Sequence, residues 1–323
     1  MIKISVRLSK RFSNGPAMAA GDEVDLQGIE RGTITAPAGC GKTHLIADAL
    51  TRHDQAKPII ILTHTNAGVV ALREKLDRLG VPPKAYRVVT IDGWAIRLLS
   101  TFPQRSGHDP ALLKLANPGT DYPNIRVAAA KLLKAGHVND ILNASYDRLI
   151  VDEYQDCSIR QHAMIAHAAG ILPTVVLCDP LQAIFGFGGD PLVAWDDVIR
   201  NFPIVGQLNT PWRWINAGAE PLGKWLLEVR EKLLRGETID LRQAPAAVMW
   251  VKLDGSDDHA KKYVLRAFGY WGTHVCSLSV IAPAQLASGG LPNRYLVPSR
   301  WRRWICVIWS HSQSVSIPRM EMP

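Results

Sequence analysis

TITAPAGCGKTHLIADAL, running from Thr33 to Leu50, passes from a β-branched run through a glycine-rich turn into a helical pattern without interruption. Strand, Gly-rich loop and helix in that order suit a phosphate-cradling loop. Backbone N–H groups and the positive end of a helix must converge there on one anion. Ala36, Pro37, Ala38, Gly39, Cys40, Gly41, Lys42, Thr43 and His44 form the candidate nucleotide-binding stretch. N–H groups from Ala38 to Thr43 can wrap the phosphates, and Lys42 supplies a mobile positive charge to the β- and γ-phosphates. The Thr43 hydroxyl is placed for Mg²⁺. Ala36 occupies the first glycine position of the general G-x-x-x-x-G-K-[ST] pattern, while Gly39 and Gly41 stand where the backbone must approach the anion closely. A chance G-x-G-K-T in a turn is the alternative, so an acidic partner elsewhere in the chain matters.

That partner is DRLIVDEYQD, Asp147 to Asp156. Leu149 to Val151 read as an apolar strand, with Asp152 and Glu153 emerging at its carboxyl end, where α/β sheets place ligand sites. Asp152 can hold Mg²⁺, and Glu153 can orient and deprotonate an attacking water. An acidic pair that merely caps the next helix would look the same; its combination with Lys42 favours the catalytic reading.

Further β-branched runs lie at Ile59 to Thr63, Val88 to Ile91 and Val175 to Cys178, each followed by a turn and a helical pattern. In NAGVVALREKLDRLG, Leu72, Leu76 and Leu79 share one helical face, and Gly80 sits where a C-terminal cap belongs. Alternating strands and helices of this kind predict a parallel sheet covered on both faces. The expected organisation is an α/β, RecA-like P-loop domain over residues 1–210, with a small helical insertion at about 102–146. An incomplete second RecA-like domain is expected over 211–288. Its helix would run through EPLGKWLLEVREKLLRG, with Leu222, Leu226, Val229 and Leu233 at helical spacing.

The net charge of +8 suits a polyanionic partner, nucleic acid being the commonest. Five scattered cysteines with no C-x-x-C pair argue against a disulfide framework or zinc site and fit a reducing cytosol. No apolar run approaches the ~20 residues of a membrane span. The basic, acid-free stretch before Asp22 reads as a short strand or irregular start, with a transit peptide as the alternative.

DEYQD, taken with the phosphate loop, resembles superfamily 1 DNA helicases of the UvrD/Rep/PcrA type. Other matches follow in that family's order. ILTHTNAGVVALREKL resembles its single-strand-gripping motif, with Thr63, Thr65 and Asn66 at matching positions. VVTIDGWAIRLL resembles the next DNA motif through Thr90. VVLCDPLQAIFGFGG resembles the segment coupling ATP to DNA, where Gln182 matches the γ-phosphate-sensing glutamine. LNTPWRW resembles the opening of the second motor domain, where Arg213 matches its arginine. The resemblance spans roughly Ile34 to Asn216. It implies an ATP- and Mg²⁺-dependent enzyme moving 3′ to 5′ on single-stranded DNA, with Lys42, Glu153, Gln182 and Arg213 catalytic. It also implies a repair or defence role, with a nuclease or another repair protein as partner.

Base stacking on flat side chains stabilises sequence-indifferent single-strand binding by roughly 1–3 kcal/mol per base. His64, Trp94 and Phe187 are the available platforms, although Trp94 reads equally as core and core is the lesser alternative for Phe187. His64 stands where the family has an aromatic, Asp92 where it has His, and Gly188 where it has Arg. Gln27 lies closer to the phosphate loop than the family's adenine-reading glutamine. The late V-x-T-x-H-x-x-K-G-x-E and T-R-A elements are not found in this sequence. From about Gly289 the composition shifts to a basic, Trp-rich tail over 289–323. It reads either as a frame change or truncation or as an arm that stacks on nucleic acid. On the first reading the chain binds ATP but unwinds poorly. The rival functions are a DNA-binding ATPase switch or regulatory subunit, a P-loop kinase, and an inactive remnant.

Overall fold

The computed structural model describes residues 24–54, 56–183, 190–252, 275–277 and 304–309, and the chain divides into two compact units, 11–210 and 211–323 with 1–10. The basic start, Phe187 and Gly188 lie outside the described residues, as does most of the Trp-rich tail.

The first unit runs in this order: β1 (Arg31–Thr35), α1 (Lys42–Thr51), β2 (Ile59–Thr63), α2 (Asn66–Arg78), β3 (Tyr86–Thr90), α3 (Ile91–Thr101) and α4 (Pro103–Ser106). It continues with α5 (Pro118–Lys134), α6 (Asn139–Ser145), β4 (Leu149–Val151), α7 (Ile159–Ala168), β5 (Thr174–Cys178), α8 (Trp195–Asn201) and β6 (Ile204–Gln207). All six strands pair in parallel, in the order β3-β2-β4-β5-β1-β6. This is the parallel α/β sheet that the strand–helix alternation predicts. The IVGQ strand β6 escapes the sequence pattern because it offers just two apolar residues before Gly206.

The period of two along each strand divides the core into two layers. Ile60, Leu62, Leu149, Val151, Val176 and Cys178 face α3, α5, α6, α7 and α8. Ile34, Ile59, Ile61, Ile150, Val175 and Leu177 face α1 and α2. Both sheet faces are therefore buried, which explains why these strands read as unbroken apolar runs. The helices of the expected insertion lie in the first layer, where Ile125, Ala129, Leu132, Leu133 and Leu142 pack with Trp94 and Leu98.

Two sequence expectations are corrected here. The buried stripe of α2 is Val69, Leu72 and Leu76, whereas Leu79 is 47% exposed because the helix ends at Arg78 and Gly80 turns the chain away with φ 73°. Trp94 is 2% exposed within the α3–α5 layer, so its indole is core and presents no face on which a base could stack.

Among the described residues, the second unit contains α9 (Trp212–Asn216), α10 (Glu220–Leu234) and strands β7 (Val248–Lys252), β8 (Val275–Ser277) and β9 (Trp304–Trp309). These strands form an antiparallel sheet in the order β7-β9-β8, so part of the Trp-rich tail is strand. Leu222 and Val229 are the buried positions of the leucine-rich helix face, with Leu226 and Leu233 partly buried beside them. No described helix is long and apolar enough to cross a membrane.

Trp94→Ala should lower unfolding stability by about 3–5 kcal/mol, the usual cost of emptying a buried aromatic site. Urea unfolding followed by circular dichroism measures it. A loss under about 1 kcal/mol, as at exposed sites, would contradict the core assignment.

Candidate active site

Strands β4, β5 and β1 are neighbours, and all three point the same way. Their carboxyl ends therefore deliver Asp152 and Glu153, the Asp179–Gln182 turn, and the loop from Ala36 to Gly41 to one rim of the sheet. The Ala36 N–H donates to the Cys178 carbonyl at 2.8 Å, stitching the start of the loop to the end of β5. Gly39 and Gly41 take φ 78° and 93°, a region where an L side chain would clash with its own backbone. Gly41 is the N-cap of α1, so the turn it permits aims the helix N-terminus at the loop. Lys42 opens that helix. Thr43 is half-buried, with its hydroxyl 3.5 Å from Lys75 Nζ, and His44 is exposed.

The Lys42 ammonium faces both acids, at 2.6 Å from Glu153 Oε1 and 3.4 Å from Asp152 Oδ1. Burial pulls the ammonium down, but the two carboxylates more than offset it and hold its pKa above the ordinary value. Asp152 is the more enclosed acid, and burial raises its pKa despite Lys42. Glu153 moves the other way: burial would raise it, yet Lys42 and the Gln155 amide together hold it below the usual range. One positive charge is thus shared unequally, with Glu153 the firmly ionised partner.

Glu153 also has φ 55°, one of two non-glycine residues with positive φ among those described. Such a conformation costs on the order of 1–3 kcal/mol and persists only where the surroundings hold it. Here the Glu153 N–H donates to Asp152 Oδ1 at 3.0 Å, and Gln155 Nε2 donates to Glu153 Oε2 at 2.6 Å.

A divalent cation fits this donor set. The Thr43 hydroxyl and the Asp152 carboxylate are hard oxygens of the kind Mg²⁺ takes when phosphates and water complete its shell. Nearby, burial and Glu153 push the Asp156 carboxyl up to about 6, and its buried Oδ1 has no hydrogen-bond partner.

The adjacent pair β2 and β3 brings the candidate nucleic-acid residues together, with Thr63 directly opposite Thr90. Thr65 and Thr90 are the N-caps of α2 and α3, their hydroxyls accepting from the N–H groups of Gly68 and Gly93 at 3.0 Å. Each hydroxyl keeps its own hydrogen to donate. Asn66 is exposed at the start of α2, whereas Thr63 is 5% exposed. His64 is half-buried, with Nε2 3.6 Å from Cys157 Sγ, and burial lowers its pKa to about 4, so the ring is neutral. Arg213 belongs to the other unit, exposed on α9 with its guanidinium 5.8 Å from the Trp214 ring centroid. Gln27 donates to the Ala49 carbonyl at 2.9 Å, at the end of α1.

Two features escaped the sequence. Asp92 is gripped by Arg126, with Nε and Nη2 at 2.7 and 2.6 Å; Arg126 Nη1 also reaches Asp190 at 2.6 Å, and Arg160 joins Asp190 at 2.5 Å. These residues are too far apart in sequence for any local pattern to link them. The second feature is Gln155. It stood inside the recognised DEYQD run, yet no role was attached to it, because its partner Asp179 comes from another strand.

A family model described as an AAA domain matches residues 30–187, from the edge of β1 past the end of β5. A search of curated proteins gives no match. Among solved structures, the chain is similar to the helicase of an arterivirus, nonstructural protein 10, solved in complex with DNA. The match has 16% identity and a TM-score of 0.32, covering 61% of this chain and 43% of that one. The chain therefore spans less than half the length of that helicase.

Proposed function

We propose that this chain is an ATP-hydrolysing helicase or translocase acting on single-stranded nucleic acid. The observation that carries the reading is the Lys42 ammonium in the Gly39–Gly41 loop, facing Asp152 and Glu153 across neighbouring strand ends. The AAA-domain match over the same residues supports it.

In this reading Lys42 leaves the acids to neutralise the β- and γ-phosphates of ATP, while Thr43 and Asp152 would hold Mg²⁺, which would offset phosphate charge. Glu153 Oε1, released from Lys42, accepts a proton from water. The water oxygen bonds to the γ-phosphorus, and the bond to the ADP oxygen breaks. Gln182, in the turn after β5, reports on the γ-phosphate, and the resemblance to UvrD/Rep/PcrA helicases supports a catalytic role for Arg213. The resemblance to UvrD/Rep/PcrA helicases supports DNA as the track, 3′-to-5′ movement, and work in repair or defence beside a nuclease. Thr63, Thr65, Asn66, Thr90 and His64 are the strand-gripping residues in this reading, with Phe187 assigned by the resemblance alone.

A DNA-stimulated ATPase switch that does not unwind is the second reading. Asp92 locked by Arg126 and Trp94 placed in the core favour it, because two side chains on α3 are withdrawn from any strand. Strand displacement on a 3′-tailed duplex separates the two.

Lys42→Ala should abolish ATP turnover, measured as phosphate release with and without single-stranded DNA; turnover within twofold of the parent would remove the whole reading. Glu153→Gln should still bind Mg·ATP but hydrolyse it about 10²–10⁴-fold more slowly. Failure to bind a fluorescent ATP analogue would instead make Glu153 a binding residue. Single-strand binding should be indifferent to sequence and fall steeply between about 50 and 200 mM salt, as displaced counterions require. A flat salt response in fluorescence anisotropy would argue against a phosphate-tracking surface.

A further inference from the structure

We infer that Gln155 is a positioning residue: its amide holds the Glu153 carboxylate in working orientation and ties it to the turn after β5. The inference rests on the ATPase reading and adds a member to its machinery.

Gln155 is 8% exposed, and both ends of its amide are engaged. The Asp179 N–H can only donate, and it points at Gln155 Oε1 from 3.1 Å. The amide is thereby fixed in one sense, leaving Nε2 to donate to Glu153 Oε2. The two oxygens of Glu153 thus have different holders: Oε1 meets Lys42 and Oε2 meets Gln155. When phosphate takes Lys42, Oε1 becomes the oxygen free to receive a proton, and Gln155 remains to keep the carboxylate from swinging.

The other end of the amide is just as specific. Asp179 is 1% exposed; its Oδ1 accepts from the Leu181 N–H, and its carbonyl accepts from the Gln182 N–H at 2.8 Å. Asp179 to Gln182 is therefore one hydrogen-bonded turn, and Gln155 grips its first residue. On the near side the backbone is anchored, because Tyr154 is fully buried with Oη 2.8 Å from His162 Nδ1. A shift of the turn is thus passed to the Gln155 amide, and through it to Glu153. Nucleic acid that displaces the Asp179–Gln182 turn would act on the base through Gln155.

A glutamine that merely filled space would be replaced by methionine of similar volume without consequence for Glu153. Gln155→Met and Gln155→Glu are compared with the parent. Methionine removes both hydrogen bonds; glutamate keeps an acceptor for the Asp179 N–H but sets a like charge against Glu153. The direct readout is the mobility of the Glu153 side chain, from ¹³C relaxation of its γ-methylene at fixed pH. It should increase in both variants, since Oε2 has lost its donor. In the Met variant, kcat with single-stranded DNA should fall roughly 10²-fold, as for a misplaced catalytic group, with the KM for ATP within twofold. The acid limb of its pH–rate profile should shift upward and stimulation by DNA should disappear.

Unchanged Glu153 mobility with stimulation retained would overturn the inference. If Gln155→Met does not fold, the Glu153 mobility in Gln155→Glu decides by itself, since glutamate also lacks the Nε2 donor. A parent chain without ATP turnover would remove the ATPase reading, while the mobility would still show whether Gln155 holds Glu153.

Discussion

The arrangement around the nucleotide rim depends on one ammonium set against two carboxylates. Lys42 is brought by the first residue of a helix, and Asp152 and Glu153 by the end of a strand two places away in the sheet. Burial works against the charge of both acids, and Lys42 opposes it in each. The lysine in turn stays protonated because the acids face it. The three groups are interdependent. Any anion that competes for Lys42 changes the state of both acids in the same event.

Around this centre, charged side chains fasten segments that apolar packing alone would leave loose. Arg148, 5% exposed, donates to the carbonyls of Leu26, Gln27 and Ile29, holding the chain that enters β1. Arg126 joins α5 to the start of α3 and to Asp190, with its charge balanced by two aspartates. The half-buried Arg126 guanidinium is tolerated because both aspartates match its donors, and breaking such a set costs more than the set itself contributes. The helices between β3 and β4 therefore belong to the same unit as the phosphate loop, packing through Ile125 and Leu132 on the sheet face opposite α1.

Much of this was legible in the residues. Gly39, Gly41, Lys42 and Thr43 are adjacent in sequence, and phosphate-loop geometry is local: a strand, a turn that needs positive φ, and a helix N-terminus. The same holds for Asp152 and Glu153 after an apolar strand, and for the two-faced burial of β2, β4 and β5, written in their unbroken Ile, Leu and Val runs. Periodicity misjudged Leu79 because a helical repeat does not mark the turn at which the helix stops.

What only tertiary structure decided is which distant groups meet. Trp94 could be platform or core until the α5 helix was seen to cover it, since an aromatic ring suits either place. Gln155 became informative once β5 lay beside β4 and put the Asp179 N–H within reach; Asp92 did so once α5 supplied Arg126. The sequence by itself determined five of the six strands of the first unit, the phosphate loop and the acidic pair, because the physics behind them acts over a few neighbouring residues. The contacts that orient Glu153 and lock Asp92 depend on strand order and helix packing, which bring together residues tens of positions apart.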